Sequence, residues 1–142
     1  MKTQDPVQSY KEIQIKTATP AKLIVMLYDG SIRFINQAIE AIGQKHRGFE
    51  KASNYIIKAQ DIINELMVSL DFEKGGQIAK NLFSLYIYLN RRLIEANIQK
   101  DPQILEEVKK MLMELRGAWA EAAQKVQGDT VPLKTGTINI AG

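Results

Sequence analysis

The chain has 142 residues, no cysteine and a formal net charge of +3. This length suits one domain with a modest core, and the lack of cysteine excludes disulfides, thiolate metal sites and cysteine nucleophiles. The longest apolar run, residues 23–28, is far shorter than the ~20 residues of a membrane-spanning helix, and the N-terminus has no secretory signal. The mild, scattered positive charge does not indicate a nucleic-acid-binding protein.

Four segments have the 3.6-residue apolar period of amphipathic helices, and none alternates like a strand. They are residues 20–42, 49–70, 77–99 and 102–126. Thr19-Pro20 and Asp101-Pro102 each have the form of an N-cap followed by a proline at the first helical position. Gly43 and Gly75-Gly76 are typical of helix breaks.

Short connections between helices of this length force neighbouring helices to run antiparallel. We therefore expect an all-α protein, an antiparallel up-down four-helix bundle within a single domain covering residues 1–142. The bundle should occupy residues 19–126, after an N-terminal apolar arm (1–18) that contains Tyr10 and Ile13. Residues 127–142 are Gly- and Thr-rich, and we expect them to form a mobile, flexible tail.

The first predicted helix is apolar around about 260° of its circumference, although a helix on a globular core needs an apolar arc of only ~100° or a little more. Beside its core face lies a second stripe, formed by Ile24, Tyr28, Ile35, Ile39 and Ile42. Either the helix is central and contacts two neighbours, or part of the stripe is reserved for a partner. We predict that Ile24 and Tyr28 contact a partner.

The third predicted helix has a second apolar row about 120° away from its core face. The row consists of Phe83, Ile87, Ile94 and Ile98, at spacings of 4, 7 and 4 residues. Asn90 and Asn97 lie between this row and the core face. On the second helix, Ile57 and Val68 lie off the main apolar face in a similar way.

Four large apolar side chains left in water would forgo on the order of 6–12 kcal/mol, as an upper bound. Exposed contiguous apolar surfaces usually mark interaction sites, and a helix lying in a groove is the recurring form of such an interaction. We therefore predict that hydrophobic surface grooves of this bundle bind a partner helix.

The sequence offers no catalytic constellation. The single histidine, His46, falls in a loop, and there is no Glu-x-x-His pair for a carboxylate di-metal site. Arg91, Arg92 and Glu95 resemble the charged pockets of helical mutases, but they map to the polar side of their helix. We predict no catalytic residues, no metal site and no cofactor. Two alternatives stay open at this stage: a self-associating helical structural module and a small helical mutase-type enzyme.

Four stretches of the sequence, in order, resemble the FliS family of flagellin-specific flagellar export chaperones. They are Tyr10 with Thr17-Ala18-Thr19-Pro20 and Met26-Leu27-Tyr28-Asp29-Gly30, then residues 58–66 (KAQDIINEL), residues 85–97 (LYIYLNRRLIEAN) and residues 115–119 (LRGAW). Together they run from about residue 6 to residue 126, whereas the tail from Gln127 has no counterpart in the family pattern.

The resemblance implies a cytoplasmic helical bundle without enzymatic activity. Such chaperones bind the C-terminal helical segment of flagellin, prevent its premature polymerisation and present it to the flagellar type III export gate. They also contact a flagellar anti-sigma factor, and neither nucleic acid nor membrane insertion is implied. In the family, an N-terminal segment similar in place to the Tyr10 arm covers the groove until flagellin displaces it. The residues that we expect to bind a partner are Tyr10, Ile13, Ile24, Tyr28, Ile57, Phe83, Ile87, Ile94 and Ile98.

Overall fold

The computed structural model describes residues 20–125. They form four helices: α1 (Pro20–Gly43), α2 (Phe49–Val68), α3 (Phe72–Gln99) and α4 (Pro102–Lys125). A short 3-10 turn, Lys45–Gly48, joins α1 to α2. The predicted all-α fold class is confirmed. The predicted arm and tail, together with Tyr10 and Ile13, lie outside the described residues.

The helices form a four-cornered bundle. Helix α1 packs against α2 and α4, and α3 packs against the same two helices from the opposite corner. Polar contacts fix the antiparallel register. On one side, Asn90 of α3 bonds to Asn64 of α2. On the other, Arg116 of α4 lies 2.7 Å from Asp29 of α1. The up-down arrangement therefore follows the short connections, as the helix lengths require.

Helix α1 is enclosed far more completely than its sequence alone indicates. Its buried face includes small residues, among them Gly30, Ser31 and Ala38. At Gly30, a Cβ atom would lie only 3.1 Å from Cδ1 of Ile62 in α2. With α2 on one flank of α1 and α4 on the other, Ile24, Tyr28, Ile35 and Ile42 are buried and Ile39 is half buried, so the second stripe belongs to the core.

Two predicted partner contacts are therefore wrong. Ile24 and Tyr28 are both 0% exposed, inside the bundle, where no partner can touch them unless the core opens. The physical reason is that α1 has a neighbour on each flank, so both of its apolar stripes find a place in the core.

Helix α3 begins earlier than its apolar period predicts. Asp71 is its N-cap, and its side chain accepts hydrogen bonds from the backbone N–H groups of Glu73 (3.0 Å) and Lys74 (3.1 Å). One helical turn follows, and the chain then kinks at Gly76, where φ is +50° and a residue with a side chain would be strained. The predicted break at residues 71–76 is therefore confined to this kink, and Phe72 is part of the helix.

Helices α1 and α3 lie diagonally across the bundle, and one hydrogen bond joins them in the core. The hydroxyls of Tyr28 and Tyr86 are 2.6 Å apart, and both side chains are almost completely buried. Burial raises the pKa of Tyr86 to about 12. It also raises the pKa of Tyr28, where the nearby Tyr86 acts in the same direction. Both hydroxyls are thus held in their neutral form.

The raised pKa values predict a loss of stability in alkali. Because the folded-state pKa of Tyr86 is about 12 and the ordinary value is 10.0, its contribution is complete below pH 10 and is lost as the pH rises towards 12. The slope is at most about 1.4 kcal/mol per pH unit for each group. In Tyr28→Phe/Tyr86→Phe, both groups are removed, so urea unfolding between pH 9 and 12 should show a shallower decline than in the unmodified chain. Parallel declines in the two proteins would contradict this assignment.

Candidate functional site

The second apolar row of α3 lies on the surface, as its spacing predicts. The exposed fractions are 37% for Phe83, 39% for Ile87, 52% for Ile94 and 78% for Ile98, so exposure rises towards the C-terminal end of the helix. On the neighbouring turns, Leu89 and Leu93 are fully buried. The prediction that these four side chains lie outside the core is confirmed. That they bind a partner stays a prediction.

Helix α2 contributes a matching row. Ile57 and Val68 are both about half exposed, and Asn64 lies between them on the same side of the helix. Asn64 accepts a hydrogen bond from Asn90 Nδ2 at 2.9 Å. The antiparallel register set by this bond places Ile57 level with the turn of α3 between Ile94 and Ile98.

The register also places Val68 level with the turn of α3 between Phe83 and Ile87. Phe72 extends the row there, because its ring meets that of Phe83 edge to face at 5.8 Å. Phe72 was not among the predicted contacts, since residues 71–76 read as a loop. The signal that could have found it is Asp71, a preferred N-cap residue immediately before it.

We call this surface the α2–α3 seam. Its apolar residues are Ile57, Val68, Phe72, Phe83, Ile87, Ile94 and Ile98. Most of the large apolar side chains that residues 20–125 leave exposed belong to it. Fully burying one such side chain is worth about 1.5–3 kcal/mol, so the seam holds considerable unused binding energy.

Two polar bridges join α2 to α3 along the seam. One is the Asn64–Asn90 bond. In the other, Ser53 Oγ donates to Asn97 Oδ1 at 2.8 Å, and this oxygen also accepts from Lys100 Nζ. The two bridges differ in how well their groups are satisfied. Asn97 Oδ1 has two donors, whereas Asn90 Oδ1 is buried and has no partner within the described part of the chain. An unsatisfied buried acceptor costs about 1–3 kcal/mol.

The opposite flank of α3, towards α4, is charged rather than apolar. Arg92 donates to both oxygens of Glu107 at 3.1 Å and to Glu95 at 2.6 Å, and the Tyr88 hydroxyl also donates to Glu107. The hydrogen bond from Arg92 lowers the pKa of the Glu107 carboxyl. The positive charge of Arg92 is therefore paired with two carboxylates and links α3 to α4, an arrangement that we call the Arg92–Glu107 clamp. Arg91 is exposed to solvent. These arginines do not converge on a pocket as a mutase would require.

Two further classes of site were sought in the described helices. Between residues 20 and 125, no three His, Asp or Glu side chains lie close enough together to hold a metal ion. None of α1 to α4 combines the length and apolarity needed to span a membrane.

Comparison with known proteins identifies the family. The family model described as flagellar protein FliS matches residues 3–126, nearly the whole chain. The chain belongs to the FliS family. It is 36% identical over 129 residues to the flagellar secretion chaperone FliS of Bacillus subtilis (strain 168). The alignment covers 91% of this chain and 94% of that protein.

Relatives from other bacteria agree. The flagellar secretion chaperone FliS of Salmonella typhimurium is 35% identical over 134 residues, covering 88% of this chain and 95% of the relative. The flagellar secretion chaperone FliS of Escherichia coli (strain K12) is 33% identical over 121 residues, covering 84% of this chain and 88% of the relative. The resemblance to the FliS family is thereby confirmed. Because these relatives are named as chaperones, a non-enzymatic class, the prediction that the chain is not an enzyme is also confirmed.

Adjacent residues on α3 provide a test of which surface is solvent-facing. Leu93 is fully buried, whereas Ile94 is half exposed in the seam. Leu93→Ala should reduce the free energy of unfolding by about 2–5 kcal/mol, because it leaves a cavity in the core. Ile94→Ala should change it by no more than about 0.5 kcal/mol. Urea unfolding of the two variants measures both values. Similar losses in the two proteins would mean that the Ile94 row is part of the core.

Proposed function

We propose that this chain acts in the cytoplasm as a flagellar export chaperone whose client is the C-terminal helical segment of flagellin. The observation that carries the proposal is the α2–α3 seam, a row of large apolar side chains kept in water by a member of a secretion-chaperone family. Monomeric proteins rarely expose such a row without a partner for it.

The dimensions of the seam suit one client helix. Phe83 and Ile98 are separated by 15 residues along α3, a distance of about 22 Å at 1.5 Å per residue. A client helix of about four turns would cover this length. Its apolar face would lie against α2 and α3 in the manner of other helices bound in grooves.

Binding of this kind would prevent polymerisation by covering a surface. The apolar helical faces of the flagellin tail would otherwise meet other flagellin molecules, and in the seam they are buried. Ordering the segment costs roughly 2–5 kcal/mol of the gross interaction energy. Because the complex would be non-covalent, transfer to the type III export gate needs only a competing contact. The proposed contact with an anti-sigma factor would compete in the same way.

The decisive experiment is titration of the chain with a synthetic peptide of the flagellin C-terminal segment, by calorimetry. We expect a 1:1 complex, and we expect Ile94→Asp and Ile87→Asp to weaken it by at least about ten-fold, because each would place an unpaired carboxylate in an apolar contact. The same variants should fail to delay flagellin polymerisation followed by light scattering.

Met113→Asp is the matched control. Met113 is 54% exposed, as Ile94 is 52% exposed, but it lies on α4, which does not border the seam. This variant should bind the peptide as the unmodified chain does. Equal losses in all three variants would contradict binding at the seam.

Self-association is the rival use of the seam. Two copies could bury their apolar rows against each other, and mass measurement in solution distinguishes this from client binding. A monomer that forms a 1:1 complex with the peptide supports the chaperone. A dimer whose mass is unchanged by the peptide contradicts the proposed function.

A further inference from the structure

The seam is apolar at both ends and polar in the middle. On α3, Asn90 lies between Ile87 and Ile94, and on α2, Asn64 lies between Ile57 and Val68. The hydrogen bond between the two amides places both breaks at the same level. A client helix in the seam must therefore cross a polar site between two apolar patches.

The two amides differ in what they leave for a client. Asn90 uses its Nδ2 group to reach Asn64, and its own oxygen is buried. Asn64 is exposed and uses its oxygen to accept that bond, so its Nδ2 group, with two N–H donors, has no partner within residues 20–125. An arriving helix would strip water from these donors. A client with an oxygen at this level would replace the water, whereas an apolar side chain would leave the donors unpaired.

We propose that the Asn64–Asn90 pair determines which helices the seam accepts, by selecting a client with a side-chain oxygen acceptor midway between two apolar pairs. This inference rests on the proposed function, since it describes the client of the same surface. The midpoints of the pairs Phe83–Ile87 and Ile94–Ile98 are 11 residues apart. The client therefore carries two apolar pairs separated by about 16 Å, with Asn, Gln, Asp, Glu or Ser about 8 Å from each.

Alignment of α2 with α3 alone does not require this arrangement. The Ser53–Asn97 bridge already joins the same two helices, and its acceptor is fully satisfied by a second donor. At residue 90, an aliphatic side chain would continue the apolar row and leave no unpaired oxygen. The polar break therefore loses stability in the free chain, and the register that it helps to set is also set by the Ser53–Asn97 bridge, so alignment alone does not account for it.

The test uses two synthetic helical peptides that are identical except at one position. Both carry apolar residues at i, i+4, i+11 and i+15, the spacing of Phe83, Ile87, Ile94 and Ile98, and position i+7 is either Gln or Leu. The unmodified chain should bind the Gln peptide about ten-fold more tightly than the Leu peptide, as expected for donors left unpaired. Asn64→Leu should reverse or remove this preference.

Asn64→Asp separates recognition from folding. The carboxylate keeps the oxygen that accepts from Asn90 but has lost both donors. Asn64→Asp should therefore bind a third peptide, with Lys at i+7, about ten-fold more tightly than the unmodified chain does, because the ammonium group can donate to the new carboxylate. Ser53→Ala removes the other bridge and is the control, and it should keep the preference for Gln.

The outcomes separate the two proposals. If the unmodified chain binds the flagellin segment but binds the Leu peptide as tightly as the Gln peptide, the selectivity inference is wrong and the proposed function stands. The inference also fails if Ser53→Ala abolishes the preference to the same extent as Asn64→Leu. If the Gln preference is found but the flagellin segment does not bind, the seam is selective and flagellin is not its client.

Discussion

The structure depends on a limit to how much of a helix a four-helix bundle can cover. Each helix presents its inner face and two flanks to its neighbours, and its outer side faces water. In α1, one flank is covered by α2 and the other by α4, and the small residues Gly30, Ser31 and Ala38 are part of its buried surface. In α3, the flank towards α2 is held by amide and hydroxyl bridges, and the apolar row beyond those bridges stays outside.

This difference explains why the additional apolar surface of α1 is buried and that of α3 is exposed. Burial of α1 supplies the core on which the other helices pack, and the Tyr28–Tyr86 hydrogen bond connects it to α3 through the interior. Helix α3 uses only its inner face for the same purpose. Its flank towards α4 is fixed by the Arg92–Glu107 clamp, so its orientation does not depend on burying the outer row. The seam is therefore free to change from solvated to occupied without repacking the core.

Much of this arrangement can be predicted from the sequence, because the apolar period fixes four helices and the short connections fix their directions. The exposed row of α3 is also predictable, since Asn90 and Asn97 separate it from the core face. The fate of Ile24 and Tyr28 is not. A wide apolar arc has the same appearance whether neighbours or a client will cover it, and only the packing of a helix on each flank of α1 decides between them. The place of Phe72 in α3 is missed for a different reason. In the sequence, Gly75-Gly76 suggests a break between helices, whereas the structure has only a kink at Gly76 within α3.

An export chaperone must bind its client firmly enough to protect it and weakly enough to release it. An unbroken row of aliphatic side chains along α2 and α3 would gain more energy from any apolar helix, including a helix from a second copy of this chain. Such a surface would discriminate poorly, because one methylene more or less changes apolar binding only modestly. Unpaired donors at Asn64 exclude apolar helices through desolvation, and they remove part of the binding energy even from accepted ones. Selectivity and release then have one physical origin: the apolar ends of the seam provide affinity, and its polar centre limits it.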